Sequence, residues 1–242
     1  MVLDTEITAH SGCDHTPDNS MEHVRHALTL SVDAFEIDIH KAQDGTLVIC
    51  HDSVSDEEYM RSPRLKDVFL LLKTHPSMRI NCDLKDNDIE LDVLRLAWEC
   101  GVTERVIFSG SFNPALSEHE AVKGKVRVFY NVEEINRTLR EQYKNLFHGE
   151  LVAGTPAFDA ALDQAADSVI HTCRQRGFDM INIYYGVCTD RFIEKMHENG
   201  IGISVWTVND EGLIRHFLEK KVVNITTRKP TLALSIKAGL AD

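Results

Sequence analysis

Residues 36–52 read EIDIHKAQDGTLVICHD, and the interpretation of the whole chain starts from this stretch. Glu36 and Asp38 alternate with isoleucines, which is typical of a strand that has ionisable side chains on one face and apolar ones on the other. An Asp-Gly pair then predicts a tight turn, followed by a returning strand, TLVIC. The returning strand ends at His51, so we expect this histidine to lie close to the two carboxylates.

Carboxylates inside an otherwise apolar strand need a compensating cation. For Glu36 and Asp38 that cation is either a divalent metal or a structural arginine. Asp83, on a strand predicted over residues 79–85, adds a third carboxylate, and three converging carboxylates repel one another unless a cation lies among them. All-oxygen ligation favours Mg²⁺ or Ca²⁺ over zinc. We therefore expect these three residues to bind Mg²⁺ or Ca²⁺.

Strands and helices alternate eight times along the chain. This alternation is typical of a parallel sheet, and eight units in 242 residues predict an α/β fold. The expected architecture is one (β/α)8 TIM barrel domain spanning residues 1–242, with a short β-hairpin after strand 2. A doubly wound open sheet is the alternative, but the Gly-rich phosphate loop that it would need is not in the sequence. The predicted strands cover residues 5–10, 36–40, 79–85, 105–111, 126–132, 179–185, 202–208 and 222–227.

Helical spacing of apolar residues predicts the intervening helices. The clearest begins at Leu65 and continues through Val68, Phe69 and Leu72. Asn19 or Ser20 is expected to cap a helix before the second strand. A polar helix over about 133–147 and a loop over 148–156 are expected later in the chain.

Active sites in a TIM barrel lie where strands end and βα loops begin. His10 ends strand 1 and His51 ends the hairpin, and histidine suits acid–base work near neutral pH. The alternative is that both are ordinary histidines. Lys85 either neutralises a substrate anion or only pairs with Asp83, and Trp206 either packs in the barrel or forms a substrate wall.

Composition limits the classes of partner. A formal net charge of −12 argues against nucleic acid or an anionic membrane surface as the main partner, but not against a small phosphorylated substrate. No apolar run approaches the ~18 residues of a membrane span. We expect no signal peptide and no integral membrane segment, and a cytoplasmic location. The six cysteines include no CxxC pair, so free thiols are expected rather than a disulfide or zinc site. The oligomeric state is left open, a homo-oligomer included.

Several short motifs occur in a fixed order along the chain. They are His10-Ser11-Gly12, Pro17-Asp18-Asn19-Ser20, Glu36-Ile37-Asp38, Asp44-Gly45, His51-Asp52, Asp83-Leu84-Lys85, Ser111-Phe112 and Trp206-Thr207-Val208-Asn209. In order and spacing they resemble the motifs of the glycerophosphodiester phosphodiesterase family, and the resemblance covers nearly the whole chain.

The resemblance implies a metal-dependent TIM barrel that acts as a phosphoric diester hydrolase. Its substrate would be a small glycerophosphodiester or a related lysophospholipid-like compound, cleaved to an alcohol and glycerol phosphate. The motifs place the metal ligands at Glu36, Asp38 and Asp83, and the general acid and base at His10 and His51. In the family's usual scheme a substrate hydroxyl attacks phosphorus, and water opens the cyclic phosphate that forms.

The expected substrate-binding residues are Lys85, Trp206, Ser11, His40 and Phe112. Ser11 stands where the family has an arginine, which removes a bidentate phosphate contact, and His40 or His15 is a candidate replacement. Asp83 is shorter than the family's glutamate. The stretch between His51 and Asp83 is too short for the segment that many members carry there, so this family insertion is short or absent.

Two other functions compete with this one. The first is another metal-dependent TIM-barrel enzyme, of the sugar-phosphate isomerase or aldolase type. The second is a barrel that binds a phosphorylated ligand without turnover. The first does not require the pair of histidines together with Lys85. The second is suggested by Ser11, because the absence of the arginine is compatible with lost catalysis.

Overall fold

A single sheet of ten described strands is the centre of the molecule. The computed structural model describes residues 4–52, 55–132, 140–141 and 155–241. The strands are β1 Glu6–Ala9, β2 Ala34–Lys41, β3 Leu47–Ile49, β4 Arg79–Leu84, β5 Val106–Gly110, β6 Arg127–Val128, β7 Tyr130–Asn131, β8 Met180–Tyr184, β9 Gly202–Trp206 and β10 Asn224–Thr227.

Helices follow the strands along the described chain. They are α1 Met21–Ala27, α2 Asp56–Arg61, α3 Leu65–Lys73, α4 Glu90–Cys100, α5 Pro156–Arg176, α6 Asp190–Glu198, α7 Glu211–Glu219 and α8 Pro230–Ala241. Short 3-10 turns lie at Cys13–His15, Thr103–Arg105, Pro114–Glu118 and Tyr185–Val187.

The parallel strands close into a ring. β1 pairs with β2 on one side and with β10 on the other, so the first and last strands are neighbours. The ring runs from β6 through β1 to β7, and β6 and β7 follow each other directly across Phe129. Phe129 itself donates its backbone N–H to the carbonyl of Phe108 at 2.7 Å. Residues 127–131 therefore act as the fifth barrel strand, which pairs with β5 at its start and with β8 at its end.

The (β/α)8 barrel and its hairpin are confirmed. β3 returns antiparallel to β2, with Ile39 opposite Ile49 and Lys41 opposite Leu47. Ser20 caps α1 by accepting a bond from the backbone of His23. The sequence pattern did not predict α2 or the break at Phe129. Of the helix expected over 133–147, only residues 140–141 are described, and almost all of the loop expected over 148–156 lies outside the described residues.

Strand alternation divides β2 between two environments. Ile37 and Ile39 are fully buried in the hydrophobic layer between the sheet and the helices. That layer includes the apolar face of α3, where Leu65 and Phe69 are also fully buried. Fully burying one such side chain contributes about 1.5–3 kcal/mol. The alternate residues of β2 point into the barrel, and the register that the isoleucines impose therefore also determines the direction of the carboxylates.

At the amino-terminal end of the barrel, a half-buried acid pairs with two cations. Glu6 of β1 pairs with Arg79 of β4 at 3.0 Å and with Arg127 of β6 at 2.6 Å. These arginines lie at the starts of their strands, at the end of the barrel opposite the strand ends. Arg79 and Arg127 therefore have a structural role at the amino-terminal end of the barrel.

All six cysteines are free thiols, as expected, and five of them are buried. Among the helices that the structure describes, none has the length and apolar character needed to cross a membrane.

His23 joins α1 to the site-bearing strand. Its Nε2 lies 3.1 Å from the backbone carbonyl of Glu36, and its Nδ1 lies 3.5 Å from the Sγ of Cys13. The ring is fully buried against Phe35. Burial lowers the pKa of His23 to about 4. The folded protein therefore holds this ring neutral at pH values where the unfolded chain protonates it.

We predict that His23 makes the protein less stable as acid is added. Because its pKa is lowered in the folded state, the unfolded chain binds the proton first, and the free energy of unfolding should fall by about 2 kcal/mol from about pH 7 to about pH 5. Urea unfolding in EDTA measures this loss. His23→Gln should show a smaller loss over the same range. An identical loss in both proteins would contradict this role of His23.

Candidate active site

A pocket opens at the carboxyl ends of the barrel strands. Seven of the ten site residues predicted from the sequence line it: His10, His51, Glu36, Asp38, Asp83, Lys85 and Trp206. Its other lining residues are Asn81, Ser109, Asn131, Asn182, Thr207 and Thr226. The structure therefore brings residues of almost every barrel strand to one opening.

Three carboxylates form the charged side of the pocket. One oxygen from each of Glu36, Asp38 and Asp83 lies within 4.8 Å of the others. Their meeting follows from strand register, because Asp38 of β2 lies directly opposite Asp83 of β4 and Glu36 is two residues earlier on the same face. Oxygen ligands at this spacing suit a hard divalent cation such as Mg²⁺ or Ca²⁺. We call these three residues the carboxylate triad.

Lys85 lies between two members of the triad. Its Nζ is 2.8 Å from an oxygen of Asp38 and 2.6 Å from an oxygen of Asp83. Burial alone would lower the pKa of Lys85, but the two carboxylates raise it above the ordinary value. One ammonium against three ionised carboxylates leaves two negative charges, which is the charge that one divalent cation would balance.

Neutral donors hold the other carboxylate oxygens. Asn19 donates its side-chain amide to Asp38 at 2.6 Å and accepts the backbone N–H of Asp38 at 2.9 Å. Ser109 of β5 donates its hydroxyl to Asp83 at 2.6 Å. The backbone N–H of Ser11 donates to Glu36 at 3.0 Å. Each carboxylate thus has a fixed orientation without a second full positive charge.

The loop after β1 supplies two of these donors, and its backbone is unusual. Asn19 has a φ of 46° and Gly12 a φ of 74°, both in the left-handed region. A Cβ on Gly12 would meet the carboxylate of Asp18 and the guanidinium of Arg228, so glycine is required there on steric grounds as well. Ser11 accepts the backbone N–H of Asn19 on its hydroxyl at 2.6 Å. Ser11 therefore supports the loop that orients Asp38.

The pKa values of the triad differ. Burial and the nearby charges of Asp38 and Asp83 raise the pKa of Glu36 well above its ordinary value. Burial would also raise the pKa of Asp38, but Lys85 and the amide of Asn19 hold it below the ordinary range. Without a cation beside it, Glu36 therefore ionises less readily than Asp38.

His10 lies beside the triad in a protected position. Its Nδ1 donates to the backbone carbonyl of Ser11 at 2.8 Å and is 3.7 Å from Glu36. Burial lowers the pKa of His10, and the charge of Arg228 adds to this effect. A neutral ring with its proton on Nδ1 leaves Nε2 free to accept a proton.

His51 lies across the pocket in an exposed position. Its Nδ1 donates to Asp52 at 2.7 Å. The side chain of His51 is 64% exposed, so a substrate can reach it. A carboxylate on Nδ1 fixes the orientation of the ring.

Three of the predicted site residues lie outside the pocket lining. Ser11 is buried beneath it and acts through Glu36 and Asn19. His40 is buried and bonds to Asp86 at 2.9 Å. Phe112 packs against two aromatic rings of the fold, at centroid distances of 5.8 and 5.6 Å.

The sequence interpretation missed several polar side chains of the pocket. Ser109, Asn131 and Asn182 line it but carry no charge and belong to no motif noted in the sequence. A signal was present for the two asparagines, because asparagine is depleted in strands and both stand among β-branched or aromatic neighbours. Asn19 was expected only as a helix cap, and its bonds to Asp38 could not be read from spacing.

We predict that Glu36→Gln raises the melting temperature of the metal-free protein, because it removes a buried carboxylate whose ionisation is unfavourable. The wild type should gain about 2.7 kcal/mol at a Mg²⁺ or Ca²⁺ concentration of about 100 Kd, or roughly 5–10 °C. The variant should lose most of this gain. Differential scanning calorimetry with metal and with EDTA measures both effects.

Asp52→Asn is the matched control for this measurement. It removes an exposed carboxylate near the pocket and should leave the metal response unchanged. A variant Glu36→Gln that still responds to metal like the wild type would remove Glu36 from the cation site.

Comparison with known proteins agrees with this geometry. Residues 10–71, which include His10, Glu36, Asp38 and His51, match the model of the glycerophosphoryl diester phosphodiesterase family. No curated protein sequence matches the chain.

Solved structures share the fold over nearly the whole chain. A glycerophosphodiester phosphodiesterase from Parabacteroides distasonis has a TM-score of 0.71 at 19% identity, covering 99% of both chains. A putative glycerophosphoryl diester phosphodiesterase from Agrobacterium tumefaciens has a TM-score of 0.74 at 16% identity, covering 98% of both. An Oleispira antarctica phosphodiesterase in complex with the product sn-glycerol-3-phosphate has a TM-score of 0.66 at 16% identity, covering 97% of this chain and 96% of its own. Residues 10–71 are thus similar to the glycerophosphoryl diester phosphodiesterase family, and the fold of the chain agrees along nearly its whole length with solved structures that carry this name.

Proposed function

We propose that this protein hydrolyses a glycerophosphodiester to an alcohol and glycerol phosphate, with Mg²⁺ or Ca²⁺ as cofactor and two histidines as proton-transfer groups. The observation that carries the proposal is one pocket that combines the carboxylate triad, Lys85 and two histidines in different environments. The family match over residues 10–71 supports the reaction class. The product held by the Oleispira antarctica relative supports glycerol phosphate as the released phosphomonoester.

The chemistry of the triad fits a divalent metal. Glu36, Asp38 and Asp83 offer three oxygen ligands, and two negative charges remain after Lys85 is counted. When bound there, a divalent cation would stabilise negative charge on phosphate oxygens. The residues of the chain perform the remaining work of orientation and proton transfer.

His10 is the general base in this proposal. The backbone carbonyl of Ser11 fixes its proton on Nδ1, and burial keeps the ring neutral. The other nitrogen, Nε2, can then take the proton of the attacking hydroxyl as it approaches phosphorus. A buried base also keeps its position, because the Ser11 carbonyl holds the ring.

His51 is the general acid in the same step. Asp52 accepts a hydrogen bond from Nδ1–H of His51 and holds the ring in place. Nε2–H of the ring can then donate its proton to the departing oxygen. Exposure suits this role, because the leaving alcohol must exit to solvent. If a cyclic phosphate forms, the two histidines exchange roles while water opens it.

Lys85 provides positive charge at the wall of the pocket. Its ammonium is held by Asp38 and Asp83, so it is fixed in place before a substrate arrives. A phosphate oxygen next to it would gain a charge-assisted hydrogen bond. Trp206 supplies an apolar surface beside this charge.

A cytoplasmic location and the state of assembly stay predictions from the sequence.

The decisive test is hydrolysis of a diester panel. We expect release of alcohol and phosphomonoester from glycerophosphocholine or a related glycerophosphodiester in Mg²⁺ or Ca²⁺, and no release in EDTA. Absence of turnover with every diester and metal would contradict the proposal. It would favour a barrel that binds phosphorylated ligands without turnover, or an enzyme of the isomerase or aldolase type.

The two histidines can be tested separately. His10→Ala and His51→Ala should each lower kcat by roughly 10²–10⁴, because each removes a proton-transfer group. His26→Ala is the control, since His26 pairs with Asp14 and does not line the pocket. A kcat unchanged in either pocket variant would remove that histidine from the mechanism.

A further inference from the structure

A row of uncharged polar side chains crosses the half of the barrel that faces the carboxylate triad. Asn131 of β7 is in register with Asn182 of β8, which is in register with Ser204 of β9 and then Asn224 of β10. These positions point into the barrel, where aliphatic side chains usually fill the space. We call Asn131, Asn182, Ser204 and Asn224 the amide row.

At one end of the amide row, both polar atoms of the Asn224 side chain have hydrogen-bond partners within the protein. The carbonyl oxygen of Asn224 accepts the hydroxyl of Thr8 at 2.7 Å. Its amide nitrogen donates to Ser204 at 2.9 Å and to Thr226 at 3.1 Å. Asn224 and Ser204 are fully buried and do not line the pocket. This end needs no ligand and has a structural role.

The other end of the row is incomplete. Asn182 donates its amide nitrogen to Asn131 at 2.9 Å, but its carbonyl oxygen has no hydrogen-bond partner among the described residues. Asn81 of β4 is in register with Glu36 of the triad, and its carbonyl oxygen also lacks a hydrogen-bond partner in the described chain. Both side chains are more than nine-tenths buried, and both line the pocket. Buried polar atoms are normally satisfied, so two unmet acceptors in one pocket are unusual.

The chemistry of an unmet acceptor limits what can bind it. A carbonyl oxygen accepts a hydrogen bond from an N–H or O–H donor or coordinates a hard cation, and Asn182 lies on β8, which pairs with neither of the strands that carry the triad. An ionised phosphate has only acceptors, and a quaternary ammonium headgroup has no donor hydrogen, so neither satisfies Asn81 or Asn182. Hydroxyl groups do. The ligand group that fits this side of the pocket is therefore a neutral one with several hydroxyls.

We propose that Asn81 and Asn182, with Asn131 bracing Asn182, form the subsite that binds the hydroxyls of the glycerol end of the substrate. This inference rests on the proposed function, which places the phosphate at the triad and Lys85. The glycerol end then extends from the triad past Asn81 of β4 towards Asn182 of β8. Asn81 and Asn182 are specificity-determining residues, which select diesters that carry free hydroxyls.

Equilibrium binding tests the subsite without turnover. The probes are sn-glycerol 3-phosphate and propyl phosphate, which share the phosphomonoester and differ by two hydroxyls. Isothermal titration calorimetry in Mg²⁺ should show the wild type binding glycerol phosphate at least about tenfold more tightly than propyl phosphate. Asn182→Ala and Asn81→Ala should each reduce this ratio severalfold and leave the affinity for propyl phosphate unchanged.

Asn224→Ala is the matched control. It removes a buried asparagine of the same row whose bonds are all internal, so it should lower stability but keep the wild-type ratio. Unchanged propyl phosphate affinity shows that a variant has a folded pocket, and Asn182→Ser gives a second variant if Asn182→Ala does not fold. A wild type that binds the two probes equally, or variants that keep its full ratio, would overturn the subsite.

The same experiment separates this inference from the proposed function. If no diester is hydrolysed but the variants lose discrimination between the probes, the subsite stands and the hydrolytic function fails. If diesters are hydrolysed and the variants discriminate like the wild type, the hydrolytic function stands and the subsite fails.

Discussion

The structure depends on how one ammonium group holds two of three neighbouring carboxylates. Lys85 bridges Asp38 and Asp83 at hydrogen-bonding distance. Glu36 stays buried beside them and, in the described part of the chain, accepts the backbone N–H of Ser11 and lies 3.7 Å from His10. Buried carboxylates at this spacing destabilise a fold unless positive charge compensates them. The register of β2 against β4 creates this electrostatic repulsion, because it places Asp38 opposite Asp83. The barrel therefore retains a cluster of carboxylates whose charge a divalent cation would compensate.

The loop between β1 and α1 supports that cluster of carboxylates. It places the Ser11 backbone against Glu36 and the Asn19 amide against Asp38, and three of its non-glycine residues adopt positive φ angles: Asp14, His15 and Asn19. Such backbone costs about 1–3 kcal/mol per residue and persists only where the surroundings hold it. The hydroxyl of Ser11 supports the same loop. A serine hydroxyl accepts the Asn19 N–H, which a guanidinium cannot do, and the guanidinium of Arg228 lies against the neighbouring Gly12.

The sequence was sufficient for the fold and for the charged half of the site. Alternation of Glu36 and Asp38 with isoleucines is a local pattern, and repeated strand–helix units leave few topologies open. The helix at Leu65 was predictable for the same reason. The contacts that could not be predicted join residues that are far apart in the sequence and close in the fold. The bonds from Asn19 to Asp38 and from Ser109 to Asp83 join residues that are 19 and 26 positions apart. The break at Phe129 arises because residues 127–131 must pair with β5 and then β8, which no local pattern reveals.

The pocket contains charged groups and neutral amides, and in our proposals each set binds one part of a glycerophosphodiester. The charged groups at β2 and β4 are proposed to bind the phosphate, and the amides of Asn81 and Asn182 the hydroxyls. The central claim, however, is that the triad binds a divalent cation. Anomalous diffraction from crystals grown with Mn²⁺ in place of Mg²⁺ tests it most directly. The expected result is one strong peak bonded to oxygens of Glu36, Asp38 and Asp83. A pocket with no peak at the triad, or an ion bound elsewhere in the barrel, would contradict it.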